Sequence, residues 1–90
     1  MDIEKILKIV KSINIIQEEN RTRNYTFTLI KLRETITAVK NKLEKGTITI
    51  LVNEYYLKEI NAHYGTNFVC KSDEEYGPVI NSVINYINTK

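Results

Sequence analysis

Apolar residues recur along the chain at spacings that change from segment to segment. Ile3, Ile6, Leu7, Val10 and Ile13 step by three and four, with Lys5, Lys8 and Lys11 largely opposite. This spacing predicts an amphipathic helix over residues 3–17, with Asp2 as its N-cap. Ile9, Ile15 and Ile16 widen the stripe, so that helix expects cover on more than one side. Residues 18–24, EENRTRN, are polar and read as a loop. Tyr25, Phe27 and Leu29 alternate briefly, but Leu29, Leu32, Ile36, Val39 and Leu43 then keep an unbroken helical step. They predict a helix over residues 28–44, stopped at Gly46 with Lys42 and Lys45 in its last turn.

The second half is less regular. TITILV, residues 47–52, is rich in β-branched residues, follows a glycine, and reads as a strand. Asn53 would cap a helix over residues 54–64, with Tyr56, Leu57, Ile60 and Tyr64 inward and Gly65 at its end. NFVCK, residues 67–71, reads as a second short strand. Ser72-Asp73-Glu74-Glu75 fits a capping box. Pro78 suits the first turn of a last helix over residues 78–88, whose inward positions are Val79, Ile80, Val83, Ile84 and Ile87. The predicted fold is a single α+β domain spanning residues 1–90, mostly helical, in the order α-α-β-α-β-α with a small sheet of two short strands. Residues 53–66 supply the roughly dozen residues that a parallel crossover needs. An all-α four-helix bundle is the alternative, because Ile48, Leu51, Val52, Tyr55 and Tyr56 also fit a helical period and short apolar runs fit either one.

At 90 residues the chain supports one core. Its 42% apolar and 27% charged residues are those of a folded domain. Fourteen isoleucines and ten asparagines suit AT-rich coding, which fits a low-GC bacterium, its phage or a plasmid. Cys70 is the only cysteine, so no intrachain disulfide is available. Charges at Glu4, Lys5, Lys8 and Lys11 break up the N-terminal apolar residues, unlike a signal peptide. No run approaches the ~20 apolar residues of a membrane span. The expected location is the cytoplasm.

Reactive groups are sparse. His63 is the only histidine, and with Cys70 it offers two soft ligands where zinc usually takes three or four. Gly46, Gly65 and Gly77 stand too far apart for a phosphate-cradling loop. Asp73, Glu74 and Glu75 are contiguous, as at a helix start. Cys70, within an apolar segment, reads as a core residue. These residues lead to the expectation of a non-enzyme without metal or cofactor.

Charge and polarity suggest surfaces instead. Residues 1–45 hold ten Lys/Arg and six Asp/Glu, whereas residues 46–90 hold three Lys and five Asp/Glu. Lys8, Lys11, Arg21, Arg23, Lys31 and Arg33, with Lys40 and Lys42, compose a basic face, read either as solvated helix surface or as a contact for nucleic-acid phosphates. Glu18, Glu19, Glu34 and Glu44 interrupt it. Five of the six tyrosines lie in the second half, and Tyr55 falls off the apolar face of its helix, where tyrosine suits an interface. From Tyr76 to Thr89 no residue is charged. The polar face of the last helix is Asn81, Ser82, Asn85 and Asn88, although asparagine is a poor helix former. Such a face can meet a partner or a second copy without the cost of burying charge.

The stretch LRETITAVKNKLEKGTITILVNEYY resembles the small immunity proteins that protect producers of pediocin-like bacteriocins, in size and in a helix ending in a Lys/Glu-rich segment before a short apolar stretch. The resemblance implies a cytoplasmic antiparallel four-helix bundle; the strand-like TITILV and NFVCK depart from it. Together the residues favour a small protein-binding module, an inhibitor, immunity or regulatory protein with Tyr55, Asn81, Asn85 and Asn88 in its contact surface. A nucleic-acid-binding regulator using the basic first half is the alternative.

Overall fold

The computed structural model describes residues 4, 8, 25–42 and 44–89. The expected helix over residues 3–17 and the loop over residues 18–24 lie outside the described residues, except for Glu4 and Lys8, which are helical and exposed.

Helix α1 spans Tyr25–Val39 and closes in a 3-10 turn, Lys40–Lys42. The brief alternation at its start is absorbed into the helix. Leu29, Leu32 and Ile36 are fully buried, and Val39 packs at the edge of the core. The predicted stripe therefore faces inward; Leu43 lies outside the described residues.

The two-stranded sheet is overturned: no strand occurs among the described residues. TITILV opens helix α2, which is α-helical over Thr47–Leu51, widens to π geometry over Val52–Leu57, and is α-helical again over Lys58–Tyr64. Strand pairing would have placed Ile48, Ile50 and Val52 on one face. The structure buries Ile48, Leu51 and Val52 and leaves Ile50 55% exposed, which is a helical pattern. The cost of the helix is small beside what burial gains. Each β-branched residue costs a helix about half a kcal/mol relative to alanine, whereas burying an Ile, Leu or Val side chain gains about 1.5–3 kcal/mol. Asn53 is an interior residue of α2, not its cap. Tyr56, Leu57 and Ile60 complete the buried stripe, and Gly65, at φ +67°, ends the helix. That left-handed geometry favours glycine, as at Gly46, φ +88°, on the other side of α2.

Helix α3 spans Tyr76–Asn88 and follows a 3-10 turn over Asp73–Glu75. It begins two residues before Pro78, which sits in the first turn where no amide is needed. Tyr76, Ile80 and Val83 are buried, with Val79, Ile84 and Ile87 packed beside them. The Thr37 and Tyr76 hydroxyls bond at 2.8 Å, joining α1 to α3.

Candidate interaction site

Two polar devices fix the second half, and both use side chains to complete backbone hydrogen bonding. The first is at the start of α2. Gly46, the N-cap, has no side chain to offer the first amides. Asp73, distant in sequence, takes that role. Its Oδ2 accepts the Gly46 N–H at 2.7 Å, and its Oδ1 accepts the Thr49 N–H at 2.9 Å and the Thr49 hydroxyl at 2.8 Å. Partial burial alone would raise the Asp73 carboxyl, but hydrogen bonds from Thr49, Gly46 and Ile48 outweigh it and hold the group below the usual carboxylate range. The anticipated capping box is absent: Ser72 makes no side-chain cap bond, and Glu75 accepts the amide of Lys71 instead.

The second device holds the segment read as NFVCK. Asn61 donates through Nδ2 to the Phe68 carbonyl at 2.9 Å and accepts the Phe68 N–H on Oδ1 at 2.8 Å. Asn53 donates to the Cys70 carbonyl at 2.6 Å and accepts the Cys70 N–H at 2.8 Å. Each side-chain amide thus supplies the donor–acceptor pair that a neighbouring strand would have provided. The chain runs antiparallel to α2, since the later asparagine holds the earlier residue. Residues eight apart on a regular α-helix are out of line by about 80°. The π turn between them, marked by the Lys58 N–H donating to the Asn53 carbonyl five residues back, takes up an extra residue and brings both amides toward one segment.

Within this segment Cys70 is buried, its Sγ 3.1 Å from the Ser72 carbonyl oxygen. Burial pushes the thiol up, with Glu75 and Asp73 adding to the shift against hydrogen bonds from Ser72 and Thr49. A thiol held neutral in this way is a poor nucleophile. His63 is exposed at the far end of α2, edge-on to the Tyr64 ring at 4.6 Å. The Tyr64, Tyr86 and Phe68 rings continue that edge-to-face chain at 5.9 and 5.8 Å. Among the described residues no group of three potential metal ligands comes together.

The anticipated surface residues separate. Asn81, Asn85 and Asn88 are all exposed on α3 with Ser82. Tyr55 is half-buried against the core and lines a shallow cleft with Glu54, Lys58, Glu59 and Ala62. In the basic face, Arg33 donates to the Asn81 side-chain oxygen across the α1–α3 junction. Lys31 lies 3.5 Å from Glu34 and over the Phe27 ring. Lys40 sits over the Tyr76 ring. Lys8 is exposed, while Lys11, Arg21 and Arg23 lie outside the described residues. Sequence reasoning gave Asn53 and Asp73 other capping roles and missed Asn61. No helix among the described residues is long and apolar enough to cross a membrane. No family model, curated protein or solved structure matches the chain.

Proposed function

We propose that this chain is a small non-enzymatic protein-binding module, an inhibitor, immunity or regulatory protein of a low-GC bacterium, phage or plasmid that occludes a partner's surface. The observation that carries this reading is the uncharged exposed face of α3. Asn81, Ser82, Asn85 and Asn88 stand on a helix whose other side is anchored by Tyr76, Ile80 and Val83. A rigid face of neutral amides can be desolvated at lower cost than one of lysines and glutamates, and each amide both donates and accepts. Arg33, bonded to Asn81, sets one charge at the margin of this face, where it meets α1.

The test is Asn85→Lys, followed by cross-linked affinity capture from the native host. Asn85 is exposed, so the substitution moves stability by less than about 0.5 kcal/mol, whereas an unpaired charge in an interface costs several times that. The expected result is a protein partner held by the wild type and lost by the folded variant. Capture of nucleic acid alone, weakening steeply with salt, overturns the reading in favour of phosphate binding by the basic residues.

A further inference from the structure

The asparagine clamps leave one edge of the extended segment open. Phe68 and Cys70 turn their N–H and C=O groups toward α2. An extended backbone alternates, so the groups of Asn67, Val69 and Lys71 point the other way. The Lys71 N–H is taken by Glu75. The N–H and C=O of Val69 and Asn67 have no partner among the described residues, and the Val69 side chain is 57% exposed. Lys71 stands on the same face as Val69 and lines a cleft with Ile50, itself 55% exposed. A backbone edge unpaired among the described residues, held by two side-chain clamps and bearing the exposed Val69 with Ile50 nearby, is a template for strand addition.

We propose that residues 67–71 pair with the same segment of a second copy, antiparallel about a two-fold axis at Val69. This register is self-complementary. The two Val69 residues exchange N–H to C=O bonds reciprocally, and at each end an Asn67 N–H meets the Lys71 carbonyl, which has no partner among the described residues. It places each Lys71 opposite an uncharged Asn67, so no like charges face each other, and it stacks Val69 on Val69. The clamps order the segment before it pairs, which lowers the entropic cost of association.

The inference stands apart from the α3 face, and Asn85→Lys should leave this self-association unchanged. The test is sedimentation of wild type, Val69→Lys, Val69→Glu and an equimolar mixture of the two variants. Directly opposed like charges disfavour pairing, and opposite charges favour it. The expected result is a concentration-dependent wild-type dimer, weakened about tenfold or more in each variant alone and restored in the mixture. A wild type that stays monomeric at millimolar concentration overturns the proposal, as do variants that dimerise unchanged or a mixture that fails to recover. Val69→Pro gives a second arm, because proline removes the outward N–H, holds φ in the extended range and is tolerated on a strand edge. It should keep the wild-type melting temperature and lose the dimer; a Val69→Pro dimer of wild-type strength also overturns the proposal.

Discussion

Asp73 shows how one side chain fixes a local structure far from it in sequence. Glycine at position 46 provides the left-handed turn into α2 but no capping oxygen, and Asp73 supplies it from the turn before α3. Losing a cap of this kind costs about 1–2 kcal/mol, so Asp73→Ala should lower stability by that amount at neutral pH in urea unfolding. The carboxyl is held below its unfolded value of about 3.9. Its contribution is therefore complete above that value and disappears as pH falls through the lower, folded-state value. Wild type and Asp73→Ala should differ at pH 7 and converge in strong acid. A difference that persists unchanged there would mean that the carboxylate charge plays no part.

At the level of elements, α1 and α3 were legible because each buries a long stripe at one period: Leu29, Leu32 and Ile36 in one, Ile80 and Val83 in the other. The start of α2 was not, because six residues rich in β-branched side chains satisfy the strand and helix periods equally. What decided between them was the burial of Ile48, Leu51 and Val52 together with a cap supplied from Asp73. NFVCK forms no strand among the described residues, although its burial alternates, with Cys70 buried and Val69 exposed. Its partner was unreadable, because side-chain amides eight residues apart have no periodic signature. Of the surface residues, the exposure of Asn81, Asn85 and Asn88 was legible, whereas Tyr55, within α2, is half-buried at the margin of the core. The clamp itself makes a sharp demand on chemistry. Asn61 must donate to one Phe68 group and accept from the other. Asn61→Asp preserves shape but can no longer donate, and it sets a negative oxygen against the Phe68 carbonyl. It should cost about 1–3 kcal/mol at pH 7, at least as much as Asn61→Ala. Thermal melts of Asn61→Asp indistinguishable from wild type would show that the amide is not holding the segment.

At the scale of the whole molecule, the described residues form helices around one apolar core, with the extended segment laid along α2 by polar contacts. The same segment is thereby tied down on one edge and left open on the other, which links the fold to the proposed assembly. Amide hydrogen exchange, followed residue by residue in dilute solution, tests this arrangement most directly. Backbone amides bonded within the domain exchange slowly, and those facing water exchange fast. The predicted result is alternation: Phe68 and Cys70 protected, Asn67 and Val69 unprotected, with both protected amides becoming labile in Asn53→Ala and Asn61→Ala at their respective positions. Uniform fast exchange from residue 67 to residue 70 would contradict the clamps, and a protected Val69 amide in dilute monomer would contradict the open edge.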